Sequence, residues 1–239
     1  MLQILITSIP KNNMNSNFIK RIALLSILVI PAFVFIFLMT FGENKFSIPI
    51  FGTKQLAILN PKSDFCPPNA NGDTTHRVLP FRFISQDGKE ITNKDFAGKI
   101  YVADFFFTRC PSICPKISSQ LSRVQDAFAD NPDVQILSHS IDPVYDSIAI
   151  LKEYGKKYGA NFSKWTFVTG DSTQISMAAK CSYFIAVQKS PDSSLLFDHS
   201  DKLILIDKQQ RIRGFYSGTN REDVDRLIAE IQILMREDL

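Results

Sequence analysis

The sequence predicts an α/β domain, an open mixed sheet with helices on both faces, carried behind one N-terminal transmembrane helix. Three observations predict it. Residues 22–41, IALLSILVIPAFVFIFLMTF, are uncharged, and about 20 such residues suffice for a helix to cross a bilayer. Ile100–Phe107, IYVADFFF, is a nearly continuous run of β-branched and aromatic residues, as in a strand buried on both faces. Beyond it, helix-like and strand-like segments alternate, and the hairpin-like pair at 202–216 makes one side of the sheet antiparallel.

The elements follow in order. Lys20 and Arg21 precede the apolar run, so residues 1–21 stay in the cytoplasm by the positive-inside rule. Pro31 is tolerated in a membrane helix. A cleaved signal peptide is the rival reading, but its apolar core is shorter and ends in small residues. Met14 is an alternative start. Residues 42–75 read as a linker arm, with Pro49, Pro61, Pro67 and Pro68 and a turn-rich 69–75. The domain then spans 76–239. Phe81–Ile84 is a strand entering a turn at Asp87-Gly88. Asn93–Phe96 is one helical turn closed by Gly98. A helix starts at Pro115, a favoured first-turn residue, with Ile117, Leu121, Val124 and Phe128 on one face. Val134–Ile141 is a strand, Asp146–Tyr158 a helix ending at Gly159, and Trp165–Val168 a short strand. Ser172–Ala179 is a helix capped by Asp171 or Ser172. Phe184–Val187, Lys202–Ile206 and Ile212–Tyr216 are strands, and Arg221–Met235 is the last helix.

Charge excludes one class of function. Lys11, Lys20 and Arg21 supply the whole net charge of +3, leaving the remainder neutral. A neutral domain lacks the basic patch that nucleic-acid binding needs.

The chemistry centres on FFFTRCPSICP at 105–115, which places Cys110 and Cys114 between a strand and a helix. With the helix starting at Pro115, Cys114 falls at its N-cap, where free N–H groups and the helix dipole favour a thiolate. Pro111 and Pro115 restrict the loop. Soft thiolates select Cu(I), zinc or an iron–sulfur cluster. Zinc wants four ligands, and a cluster wants more cysteines than this pair. An inert staple between the two is the bland alternative. Of the histidines, His76 and His139 read as structural or surface residues. His199 follows Asp198 in a polar loop just before KLILI, and strand-end loops gather at one edge. It is therefore a candidate third ligand, with Asp198 either orienting it or merely solvated.

FFFTRCPSICPKISSQL, SIDPVYDS, FVTGD, FDHSDKLILID and the hairpin at Asp207–Phe215 together resemble the Sco (SenC) family over about residues 78–235. That family comprises membrane-anchored copper chaperones for cytochrome c oxidase. The resemblance implies a thioredoxin-like fold and copper, as Cu(I) or Cu(II), held by Cys110, Cys114 and His199. It implies a copper donor protein and, as recipient, the oxidase subunit that carries the dinuclear CuA site, or preparation of that subunit's thiols. It places the domain on the periplasmic side of the inner membrane, behind a single-pass anchor. No catalytic residue is implied beyond a redox-active Cys110–Cys114 pair in the alternative reading, a thiol–disulfide oxidoreductase acting on exported proteins. A peroxiredoxin-type peroxidase fits less well, because the Thr108–Cys110 spacing is wrong. Cys66 and Cys181 lie outside the motif. If they meet, an exported protein oxidises them to a structural disulfide; otherwise Cys181 is a core thiol and Cys66 a free one.

Overall fold

The computed structural model describes residues 16–41, 47–52, 66, 75–185 and 200–237. Two units are present, dividing after Phe46. The first holds helix α1, Ser16–Phe41. Its Lys20–Thr40 stretch has a mean hydropathy of 3.0 and is long and apolar enough to cross a membrane. Two hydroxyls of that stretch bond to their own helix: Ser26 Oγ donates to the Ala23 carbonyl and Thr40 Oγ1 to that of Ile36. Such internal bonds are how a hydroxyl is satisfied where water is absent.

The second unit is a seven-stranded mixed sheet in the order β2-β1-β5-β4-β3-β6-β7. The strands are β1 (Arg82–Ser85), β2 (Glu90–Thr92), β3 (Ile100–Phe106), β4 (Val134–Ser140), β5 (Trp165–Thr169), β6 (Lys202–Ile206) and β7 (Ile212–Ser217). The β3, β4 and β5 strands are mutually parallel. Antiparallel strands flank this centre on both sides, β1 against β5 and β6 against β3. The predicted hairpin is present as β6–β7, and a second hairpin, β1–β2, closes the other edge around Gly88 at φ +74°. A left-handed φ of that size is open to glycine without cost.

Among the described residues, four α-helices follow α1 in sequence. They are α2 (Ile113–Ala127), α3 (Ile148–Lys157), α4 (Ser172–Met177) and α5 (Arg221–Glu237). The α2 helix buries Ile117, Leu121 and Val124, the predicted stripe, and packs against α5, which buries Val224, Leu227, Ile231 and Leu234. Gly155 lets α3 lie close on β5: a Cβ there would stand 2.5 Å from the Phe162 ring and 2.9 Å from that of Phe167. All seven residues of β3 are buried, as the apolar run predicts. One face of the centre stacks Phe106, Tyr154 and Phe167, and the other groups Phe105, His139, Phe83 and Tyr183.

Two expectations are corrected. The helix after the cysteine loop begins at Ile113 with Ser112 as N-cap, two residues before Pro115, so Cys114 lies inside the first turn. Proline is favoured in that turn, but it does not fix which position of the turn it fills. The expected strand at Phe184–Val187 is not formed by Phe184 and Ile185, and Val187 lies outside the described residues. Here α4 runs into a wide turn, Ala178–Ser182, and the Tyr183 and Ile185 N–H groups bond back to the Ala178 and Ala179 carbonyls. Those donors are spent locally, and Phe184 takes a left-handed φ of 55°, which no strand accommodates.

Cys181, in that wide turn, is joined to Cys66 by a disulfide. Ser47–Gly52 also touches the domain. The Phe51 N–H bonds the Ile212 carbonyl, Ile48 is buried, and the Arg213 guanidinium reaches the Ile48 carbonyl and Glu237.

His76 and His139 are structural. His76 Nε2 pairs with the Ser182 carbonyl. His139 is fully buried, with Nδ1 at 3.1 Å from the Asp104 carbonyl and Nε2 unpartnered among the described residues. Burial holds its pKa down at about 4, against an ordinary 6.5. Burial also pushes the Asp104 carboxyl up to about 7, from 3.8. The two act on stability with opposite sign. Below pH 6.5 the unfolded chain protonates His139 first, so stability is lost as the pH falls to about 4. Below pH 7 the folded chain protonates Asp104 first, so stability is gained as the pH falls to about 3.8. By linkage the two amount to about 3 and about 4 kcal/mol and nearly cancel. His139→Phe should therefore gain about 3 kcal/mol relative to wild type between pH 7 and pH 4, read by urea unfolding. A difference that does not change with pH would contradict this.

Candidate metal centre

Parallel β3 and β4 end at the same edge of the sheet, with Phe106 beside Ser140. Each is followed by a loop, and the two loops grip each other. From the first, the Thr108 N–H and hydroxyl both donate to the Asp146 carboxylate, at 3.2 and 2.5 Å. Ser140 Oγ donates to the same carboxylate at 2.6 Å. Arg109 pairs with Asp142 at 2.6 Å and lies over the Tyr145 ring, 4.0 Å from its centroid. Asp146 is fully buried, and desolvation raises its carboxyl while the three donors hold it down. The two residues before Cys110 are thus fixed from the side by two buried carboxylates.

A turn follows, closed by the Cys110 N–H on the Phe107 carbonyl. It delivers Cys110 to the mouth of α2. The Cys114 N–H donates to Cys110 Sγ at 3.4 Å, and Ser112 Oγ stands 4.0 Å from that sulfur. Both cysteines are free thiols, and both are buried, at 5% and 2% exposure. The Cys114 S–H, then the Cys114, Ser112 and Ile113 backbone N–H groups, pull the Cys110 thiol down to about 5, against its burial. Donating its S–H hydrogen bond to the Cys110 sulfur, together with burial, drives the Cys114 thiol far up. The sequence reading set the poised thiolate on Cys114; the structure sets it on Cys110. The reason is direction. The open N–H groups of a helix point outward from its first turn, toward the residue that approaches it and away from those within it.

Among the described residues no further His, Asp or Glu joins the cysteines in a metal-binding cluster. His199 and Asp198 lie outside the described residues. Their neighbourhood in sequence is nevertheless informative. The β6 strand starts at Lys202 and runs antiparallel to β3, with Ala103 opposite Ile204, so it starts at the edge where β3 ends. Sequence reasoning gave Asp142, Asp146 and Arg109 no part at the site, and weighed Thr108 only for a peroxidase. The signal was there in SIDPVYDS, a polar run that follows a strand parallel to the one feeding the cysteines.

The donor set suits a soft monovalent metal: two sulfurs, one with its thiol held down by its hydrogen bonds, on a braced loop. Comparison with known proteins gives the same direction. Residues 69–236 match the SCO1/SenC family. The SCO1 protein homolog of Bacillus subtilis is 30% identical over 158 residues, 66% of this chain and 82% of that protein. The solved structure of BsSco, described as having a disulfide switch and belonging to the Sco family of cytochrome c oxidase assembly proteins, superposes with a TM-score of 0.59. It is 30% identical and is matched over 66% of this chain and 93% of its own. Arabidopsis thaliana ScoI, solved with copper bound, gives a TM-score of 0.57 at 31% identity over 66% of this chain and 98% of its own. The thioredoxin-like architecture is shared with these structures. With the match covering well over half of the chain and the cysteine loop within it, the chain belongs to the SCO1/SenC family.

Proposed function

We propose that the protein is a copper chaperone of the Sco type, which takes copper as cargo on Cys110 and Cys114 with His199 as third ligand. It delivers that copper to the CuA-bearing subunit of cytochrome c oxidase. The observation that carries the reading is the pair of free thiols at the mouth of α2, with the Cys114 N–H donating to Cys110 Sγ at 3.4 Å and the Cys110 thiol held below its ordinary range by its hydrogen bonds. An ionised thiolate binds Cu(I) without first losing a proton. The start of β6 at the same edge supports His199, which stands three residues earlier in sequence. Copper-bound Arabidopsis ScoI supports the cargo, and the description of BsSco supports the partner.

Topologically, α1 serves as the single-pass anchor, with residues 1–21 in the cytoplasm and 42–75 as the arm to a periplasmic domain at 76–239. Lys20 and Arg21 before the span support that orientation. Titration of the reduced full chain with Cu(II) tests the function. One equivalent should bind and raise a sulfur-to-copper charge-transfer band, whereas copper uptake without such a band would refute the ligand set.

One observation favours a second reading, thiol–disulfide exchange. A thiolate near pKa 5 beside a proton-bearing Cys114 is an attacking and resolving pair. In that role the protein would reduce the oxidase's cysteines before metallation, and His199 would be dispensable.

A further inference from the structure

The loop that braces the cysteines on one side shows an unusual face to solvent on the other. Val144, at its tip, is 95% exposed, and Tyr145 and Ile148 beside it are 44% and 40% exposed. A lone exposed apolar side chain needs no explanation. This group differs in two respects. First, the backbone beneath it is fixed: the Tyr145 and Asp146 N–H groups bond the Asp142 carbonyl, the Ser147 N–H bonds that of Tyr145, and the Asp142 N–H bonds Ser140 Oγ. The side chains are therefore held outward by a rigid turn, which lowers the ordering cost of any contact they make. Second, the loop is tied directly to the residue before Cys110, through Arg109 on Asp142 and on the Tyr145 ring.

Burial of the sulfurs selects the occupant. Copper passes between thiolates only when donor and acceptor sulfurs meet on one ion. Cys110 and Cys114 are almost covered, so an acceptor protein must seat on the rim around them. On the described part of that rim, Pro111 and Ser112 are exposed and uncharged, and the Arg109 charge is taken up by Asp142 and the Tyr145 ring. That part of the rim thus offers uncharged contact, with the Arg109 cation already matched. That suits a protein surface and gives little hold to phosphate headgroups.

We propose that Val144 and Tyr145 anchor the docking of the thiol-bearing protein that exchanges copper with Cys110 and Cys114. The proposal rests on the copper-chaperone reading for the identity of that protein. In the mixed order of such interfaces, a projecting residue on a preorganised loop enters a pocket of the partner and excludes water from the transfer site.

The test uses the full chain in detergent micelles, copper-free and reduced. The probe is the soluble domain of an oxidase second subunit, metal-free and with its CuA cysteines reduced. Wild type should bind the probe with an affinity that changes little between low and moderate salt, since the contact is apolar. Val144→Asp should weaken that binding at least about tenfold, yet load copper from a Cu(I)–glutathione complex as wild type does. Binding of the probe within twofold of wild type would overturn the proposal. So would equal loss of loading from glutathione, which would place Val144 in the site itself, and so would Val144-dependent capture by phosphatidylethanolamine–phosphatidylglycerol vesicles in place of the probe. The affinity is measured without copper. Failure of wild type to load copper while Val144-dependent binding persists would therefore refute the chaperone reading and leave the surface standing.

Discussion

Cys110→Ser and Cys114→Ser should each abolish useful copper binding, in both oxidation states. Loss of a residue that merely orients a metal ligand typically costs 10–100-fold in affinity, and each of these changes removes a ligand, so the expected loss exceeds about 100-fold. The two serines should also differ from each other. Cys110 carries the thiolate held by the Cys114 S–H and three backbone N–H groups. Without it, Cys114 loses the acceptor of its proton and titrates nearer an ordinary thiol. Cys114→Ser keeps the backbone donors around Cys110 and should leave one reactive thiol at neutral pH. Alkylation rates at pH 7 would show this asymmetry; equal rates in the two variants would contradict the assignment of the thiolate. His199→Ala should be milder and state-dependent. Cu(I) is content with two sulfurs, whereas Cu(II) wants nitrogen or oxygen donors as well. Its Cu(II) affinity should fall by more than its Cu(I) affinity. In thiol exchange, by contrast, both cysteine variants fail and His199→Ala does not. Oxidase assembly at limiting copper in cells carrying each variant separates the two roles.

The second large effect concerns the Cys66–Cys181 disulfide. It closes a loop with a sequence separation of 115 residues. Restricting an unfolded chain over such a span is worth about 5 kcal/mol in the chain-entropy account, and natural bridges typically contribute 2–5. Small domains are stable by only about 5–15 kcal/mol. The double variant Cys66→Ser, Cys181→Ala should therefore unfold at a distinctly lower urea concentration than wild type, with its sheet intact at zero urea. Mild reduction should open any Cys110–Cys114 bond before this one, so alkylation would then label only the motif pair. Equal labelling of all four cysteines, or equal unfolding midpoints, would show that the bridge is not a structural staple.

Legibility of the fold in the sequence followed the range of the physics involved. The β3 strand was legible because burial on both faces forces a continuous apolar run. So was the inner face of α2, where 3.6-residue periodicity decides the matter locally. Gly88 and Gly98 marked their turns because both take φ +74°. The start of α2 was not legible: Ser112 caps it without a side-chain hydrogen bond, so the usual marker is silent. The wide turn at Ala178–Ser182 was hidden as well, because β-branched and aromatic composition describes a buried surface and not the hydrogen bonds that Tyr183 and Ile185 make.

At the site, the sequence offered both cysteines, but not which of them ionises. That depends on where each sulfur points relative to the α2 amides, a three-dimensional fact. Asp146 illustrates the same limit. It lies far from Thr108 in sequence, and only the parallel pairing of β3 with β4 brings the two together. The pairing of Cys66 with Cys181 was one of two open possibilities, and the fold selects it.

The most direct test of the central claim is X-ray absorption at the copper edge, on the full chain loaded with one equivalent of Cu(I) and then of Cu(II). The account predicts two sulfur neighbours in both states and an imidazole contribution, strongest for Cu(II), that disappears in His199→Ala. A copper shell of oxygen and nitrogen alone, or a wild-type spectrum unchanged in Cys110→Ser, would contradict it.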